Sequence, residues 1–540
     1  MDYAKEHMSH KASDLETMLG DPKKAIRSMI VAFFLAFAVV QVNQFVDTFW
    51  VSGLGNISSS AVSTTAPIYE LLMCAGLGMG AGVTASISFH LGRGETSYVN
   101  RLAGNSLILG VVFAAVGSTL VALLGDPVLE LMGAHDIIDE CMAYLWPYII
   151  LSPFLLCETI VGSMLRGEGA AKKATVVQVT AAVFNMVIDP ILIYVLDMGV
   201  AGAGLATCVS AALSMGIGLY WYHAGRTVVK LNRDAFRWNR DAATDVMDIG
   251  GPKTIQSAIS SITDLIQRVF LIATGGTNAV MYYNYAWRYI GLAQLPGKAY
   301  ESAMIPVCSA GYGQGDLEKM KEGFRYSAKM TILFSTGLGA LMLIFADPLM
   351  MIMTYEESMT ELRPTFVWTL QVSVVLIPFS ALMGIGSSML QTMKKAEISL
   401  RFYMLWGFIK LAMYAISAYA LDSFEWIIYS MVIVHIFGGV ALMLMARKEF
   451  SSLKTQIEVD RAFGLRSQIR CSIETSVIPT TLTRLMMAAS PAGSTARPPC
   501  QRNHATRTYF QTGQQRHISS QARCSTRCRR ASSRHQDPIA

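Results

Sequence analysis

The chain has 540 residues, is 52% hydrophobic by type, carries only 15% charged residues and has a formal net charge of +6. That composition is too apolar for a water-soluble protein of this length, and it reads as a polytopic membrane protein. Residues 1–25 are polar, and the first apolar run is too long and too late for a signal-peptide core, so it reads as a first span.

A hydrocarbon core of about 30 Å needs roughly 20 helical residues. Runs of that kind recur twelve times, at 26–52, 62–91, 100–124, 138–165, 174–196, 200–222, 249–274, 278–310, 326–345, 365–391, 398–421 and 425–445. The first holds Asp47 within "VNQFVDTFW", and Asn43 one turn before it. The second holds "GLGMGAG", with glycines at spacing four (Gly76 and Gly80, Gly78 and Gly82), a pattern for close helix packing in lipid. Asp126-Pro127 and Asp347-Pro348 read as acidic N-caps with proline at the first position of short surface helices.

The fifth span holds "VFNMVIDPILIY", in which Asn185 and Asp189 stand at i and i+4 and share one helix face. Pro190 cannot donate a backbone bond and so leaves the Met186 carbonyl short of its helical partner. Such a carbonyl is tolerated at membrane depth where it lines a cavity or meets an ion. With Thr207 of the sixth span, the first half offers two carboxylates, an amide oxygen and a hydroxyl. These hard oxygen ligands suit a bare monovalent cation or a shared proton.

Basic residues mark alternate connections: Lys23, Lys24 and Arg27; Arg93 and Arg101; Arg166, Lys172 and Lys173; Arg226 to Arg240; Lys319 to Arg325; Lys394, Lys395 and Arg401. By the positive-inside rule both termini lie in the cytoplasm, and the span count is even. Cys74, Cys141, Cys157, Cys208 and Cys308 lack motif spacing and read as packing residues. From Gln456 onward the composition turns Arg-only, with thirteen Arg, no Lys and four acids, and reads as a disordered tail without assigned function.

Self-comparison shows a duplication. "LGRGE" at Leu91–Glu95 matches "YGQGD" at Tyr312–Asp316, and "GDP" at Gly125 matches "ADP" at Ala346, both at an offset of 221. "SML" at Ser163 and "KKA" at Lys172 recur at Ser388 and Lys394. The G-x-G-acid segments read as tight turns, because no strand precedes them and neither completes a nucleotide-binding fingerprint. Each half holds six spans, so the halves are related by a pseudo-two-fold axis along the membrane normal, with a substrate path between them. The same offset carries Asp47 to Arg268 and Asp189 to Lys410, or to its neighbour Leu411 at a local offset of 222, so the acidic positions of the first half correspond roughly to basic ones in the second. Arg268 is expected to pair with Asp264, and Lys410 with Asp264 or Glu301, as ion pairs that hold the lobe together or as a site for anionic substrate groups.

"GSMLRGEGAAKKAT", "NMVIDPILIY" and "MGVAGAGLAT" resemble the multidrug and toxic compound extrusion (MATE) transporters, in particular the DinF-like archaeal and bacterial branch, over about Met29 to Arg447. The resemblance implies an all-α integral membrane protein of twelve transmembrane helices in two six-helix lobes. It implies a cation site for Na⁺ or H⁺ at Asp47, Asn185, Asp189 and Thr207, with the Ala203 carbonyl contributing and the Tyr144 hydroxyl adjacent. Related archaeal transporters carry a proline early in span 1 that is linked to its bending; "MIVAFFLAFAVVQVNQF" has none.

The expected organisation is a cytoplasmic segment 1–25, lobes 26–224 and 246–447, a basic linker 225–245 and a tail 448–540. The expected function is secondary active multidrug efflux: amphipathic organic compounds leave in exchange for Na⁺ or H⁺, through a monomer in the plasma membrane, without cofactor or nucleic acid. The alternative is a flippase or exporter of lipid-linked or anionic metabolites. Without H-E-x-x-H, G-x-S-x-G or a Walker A segment, neither an enzyme nor direct ATP drive is expected.

Overall fold

A computed structural model describes residues 14–131, 134–354 and 360–476, and every regular element among them is helical. The chain divides into two units, Met1–Arg461 and Ala462–Ala540, and apart from the end of the last helix everything below lies in the first. Its helices are α1 (Pro22–Ser52), α2 (Asn56–Gly92), α3 (Thr96–Leu131), α4 (Ile138–Gly167), α5 (Ala171–Pro190), α6 (Gly199–His223), α7 (Arg240–Gln314), α8 (Leu317–Ile344), α9 (Ala346–Met353), α10 (Arg363–Val374), α11 (Ile377–Thr392), α12 (Ala396–Tyr419) and α13 (Phe424–Ser476).

Local chemistry sets the ends that matter. The Asp21 carboxylate caps α1 by accepting from the Lys24 N–H at 2.7 Å, and Pro22 occupies the first turn, where its missing donor costs nothing. α1 then runs unbroken to Ser52. α5 ends at Pro190, and the chain continues as one π-turn, Ile191–Val195, that absorbs the break in the hydrogen-bond ladder. α7 spans 75 residues but breaks at Gly275 and at Gly276, whose φ of 62° and ψ of −154° only glycine adopts readily. Its two arms are spans seven and eight.

Among the described residues, nine helical segments have both the length and the hydropathy to cross a membrane. The remaining three spans, the arms of α7 and α12, are long enough but hold Lys253, Asp264, Arg268, Lys298, Glu301 and Lys410. Charge, not length, lowers their hydropathy. Two expectations change. Asp126-Pro127 lies inside the continuous α3 and does not open a separate helix, whereas Asp347-Pro348 does sit in the first turn of the short α9. α13 continues to Ser476, past the expected start of the tail at 448, and residues 477–540 lie outside the described residues.

The duplication is visible in the packing. Gly94 and Gly315, matched in the repeat, both take left-handed φ, 76° and 70°, at tight turns. Gly92 packs on the Ala310 carbonyl and Gly313 on the Phe89 carbonyl; a Cβ there would stand 2.2 and 1.9 Å from those oxygens. Both pairs are related by the 221-residue offset, so the two halves meet here through equivalent surfaces. Gly80 abuts Ser163 of α4 within the first half, while Gly78 and Gly82 abut α7, which is the close packing the glycine spacing implies.

Candidate functional site

Asn185 and Asp189 come together on the buried face of α5, at 3% and 1% exposure, and Asn43 and Asp47 of α1 meet them. Asn43 Nδ2 donates to Asn185 Oδ1 at 2.9 Å, and Asn185 Nδ2 donates to Asp189 Oδ1 at 3.0 Å. This relay orients both amides and delivers one donor to Asp189. The Asp47 and Asp189 carboxyl groups lie within hydrogen-bonding reach of each other. Two carboxyl groups in that position share a proton or hold a cation between them. Asn43 Oδ1 and Asp189 Oδ2 are buried and receive no donor from the protein. Acceptors outnumber donors, the balance a cation site requires.

The other expected members stand close by with bonds of their own. The Thr207 hydroxyl donates to the Ala203 carbonyl at 3.2 Å, so these two oxygens of α6 are linked to each other. The Tyr148 hydroxyl donates to Tyr144 Oη at 3.0 Å, and Tyr144 lies in the field of both aspartates. A cavity of about 390 Å³ reaches the site: Asn43, Asn185 and Thr207 form one part of its wall. Met186 is half-buried on the same helix and is not part of that wall.

In the second half, Lys410 Nζ pairs with Asp264 Oδ1 at 2.8 Å, in a smaller cavity of about 190 Å³ that Trp287, Tyr403 and Trp406 also line. Arg268, expected on Asp264, forms no ion pair among the described residues; its charge acts on Glu70 of α2 instead. Glu301 accepts from the Ser388 hydroxyl at 2.7 Å and faces Lys253 and Lys298, not Lys410.

Three features escaped the sequence reading. Glu158 and Arg166 of α4 line the larger cavity, although Arg166 reads from sequence as a connection charge. His90 is buried at the end of α2 with Nδ1 2.6 Å from Glu95 and Nε2 2.9 Å from Asp245, which also receives the Tyr98 hydroxyl and pairs with Lys394 at 3.3 Å. Burial opposes the charge on Asp245, but the His90 hydrogen bond, the Lys394 charge and the Tyr98 hydroxyl together hold its carboxyl well below the usual carboxylate range. This cluster ties the first half to α7 and to the α11–α12 turn. Glu168, in the α4–α5 turn, accepts from the Tyr222 hydroxyl at 2.6 Å and from the backbone of Val228 and Val229; burial nevertheless pushes its carboxyl up to about 7. The partners of Asp245 and Glu168 lie more than 50 positions away along the chain, which no local pattern announces.

Against known proteins, a family model described as MatE matches residues 32–191 and 252–413. An FAD transporter of Shewanella oneidensis is 24% identical over 58% of this chain and 71% of its own length. The multidrug export protein MepA of Staphylococcus saprophyticus is 23% identical over 52% of this chain, and that of Staphylococcus aureus is 25% identical over 44%. The chain spans 63% and 52% of those two relatives. A MOP-superfamily transporter from Pyrococcus furiosus superposes with a TM-score of 0.78 at 25% identity, over 82% of this chain and 98% of the other. An outward-facing multidrug resistance MATE transporter superposes with a TM-score of 0.77 over the same shares.

Proposed function

Because the chain belongs to the MatE family, whose members are multi-pass membrane transporters and not enzymes, we propose that it is a secondary active antiporter. It exports amphipathic organic compounds across the plasma membrane in exchange for Na⁺ or H⁺. Asp47, Asn185 and Asp189 bind the driving cation, Thr207 and the Ala203 carbonyl complete its surroundings, and the chain acts as a monomer with cytoplasmic termini. The observation that carries this reading is the facing carboxyl pair with two buried acceptors that no protein donor reaches.

Cation and substrate favour opposite conformations, each shifting the balance only by its differential affinity. The contacts of Gly92, Gly313 and Asp245 lie at the end of the bundle that bears the basic connections, which is the cytoplasmic end on this reading. A cation entering from outside then meets an open N-terminal lobe, and substrate leaves as it binds.

The second reading, export of anionic metabolites, is supported by the FAD transporter among the relatives and by Lys253, Lys298, Arg268 and Lys410 in the C-terminal half. Dye flux in vesicles under an imposed Na⁺ or pH gradient tests the primary reading. Wild type responds to at least one gradient, and Asp47→Asn and Asp189→Asn each lose at least about tenfold, the loss of one strong charge-assisted contact. Full gradient-driven flux in both variants overturns the coupling site.

A further inference from the structure

The cavity that reaches the coupling site extends well beyond it. Phe37 and Tyr69 contribute two aromatic rings, and Met73 and Leu77 flexible apolar groups, to a wall otherwise made mostly of small residues, and Glu158 of α4 is a carboxylate in that wall. Glu158 lies within a membrane span, half-buried, and takes part in no ion pair among the described residues; the Thr159 hydroxyl is its hydrogen-bonding neighbour. An ionisable group at membrane depth without a bonded counter-charge is expensive, and its default meaning is function.

Glu158, Gly162 and Arg166 follow at spacing four and line the same cavity; the Cα atoms of Glu158 and Arg166 are about 12 Å apart along the axis, and the Arg166 charge acts on Glu158 without bonding to it. Arg166 does not close onto Glu158. Its Nη2 donates to Ser163 Oγ at 2.6 Å, which fixes the guanidinium at its own end of the cavity.

We propose that Glu158 is the counter-charge for the transported compound, and that the cavity takes an amphipathic organic cation with its charged end at Glu158. The aromatic faces of Phe37 and Tyr69 add cation–π attraction for a delocalised or quaternary cation. Arg166 repels that charge from the opposite end and so sets the direction in which the molecule lies. Asn43 and Asn185 belong both to this wall and to the relay that orients Asp189, so a cation at Glu158 and one at Asp189 share a low-dielectric space. Their repulsion couples the two ligands without any further contact. Glu158 is thus a specificity residue, separate from the carboxyl pair that holds the driving ion.

The inference rests on the transporter reading but not on the coupling assignment, because its test needs no gradient. The full chain in nanodiscs is titrated with ethidium at fixed salt and pH, with FAD as an anionic probe. Glu158→Gln is expected to weaken ethidium binding by at least about tenfold, as removal of one charge-assisted contact does. Glu158→Asp, which keeps the charge, is expected within about threefold of wild type. In wild type, tetraphenylphosphonium displaces ethidium and FAD does not. Unchanged ethidium affinity in Glu158→Gln overturns the proposal, as does equal loss in Glu158→Gln and Glu158→Asp when both elute like wild type. Should Glu158→Gln fail to fold, displacement of ethidium by FAD as readily as by tetraphenylphosphonium overturns it in the unaltered protein.

Discussion

The two halves share a plan and differ in charge. At Gly92 and Gly313 they are interchangeable: each glycine packs on a carbonyl of the other half, and the left-handed turns that follow are alike. At the positions of Asp47 and Asp189 they are opposites, because the offset of 221 lands on Arg268 and Lys410. Around those positions the first half leaves the buried acceptors Asn43 Oδ1 and Asp189 Oδ2 without donors, while the second closes Lys410 onto Asp264 at 2.8 Å. Duplication therefore conserves how the lobes touch and frees what each lobe binds. The half with surplus acceptors is poised for a cation, and the half with a closed ion pair is not.

The largest effect expected from this comparison falls where the halves are alike. Gly92→Val and Gly313→Val each drive a branched side chain into backbone, where no side chain can yield, so each should oppose closure of this end by on the order of 3 kcal/mol. Spin labels on Arg93 and Lys395 should report the same widening in both variants. A wide distance in one and a wild-type distance in the other would break the equivalence of the two surfaces.

A smaller effect is expected where the halves differ. Asp264→Asn strands Lys410, which is mostly buried, whereas Lys410→Met strands a half-exposed carboxylate that water can serve. Thermal unfolding in detergent should place Asp264→Asn below Lys410→Met by about 1 kcal/mol, with the double variant near Lys410→Met. The reverse order would mean that Asp264 belongs to a site other than this pair.

The smallest is a pH dependence that resides in one half. Glu168 has its carboxyl raised to about 7, so its contribution to stability is complete below the unfolded value of about 4.3 and is lost as pH rises through about 7. The matching turn after Ser388–Leu390 holds no acid. The melting temperature should fall by a few degrees between pH 5 and pH 8, and Glu168→Gln should flatten that slope. A slope that Glu168→Gln leaves unchanged would place the dependence elsewhere.

Much of this was legible in the chain. Asn185 and Asp189 announced themselves because helical spacing puts them on one face in an otherwise apolar run, and the duplication because short motifs recur at a nearly constant offset. Arg166 did not, since whether a charge at a span end faces water or a cavity depends on how α1, α2 and α5 pack around it; Glu158 stands alone inside its span, with no second polar residue one helical turn away to mark its face. His90 and Asp245 lie 155 residues apart, and each alone looks like an ordinary connection charge. Asp126-Pro127 was misread because proline at the first turn of a helix and proline within a continuing one have the same local sequence. Arg268 missed Asp264 because Lys410 reaches that carboxylate from another helix.

The central claim is that the driving cation binds in the first half alone. Equilibrium uptake of radioactive sodium, with protons released measured on the same purified sample, tests it most directly. One cation equivalent per chain, as sodium or as a displaced proton, is expected in wild type and in Lys410→Met, and none in Asp189→Asn. Retained uptake in Asp189→Asn, or its loss in Lys410→Met, would contradict the claim.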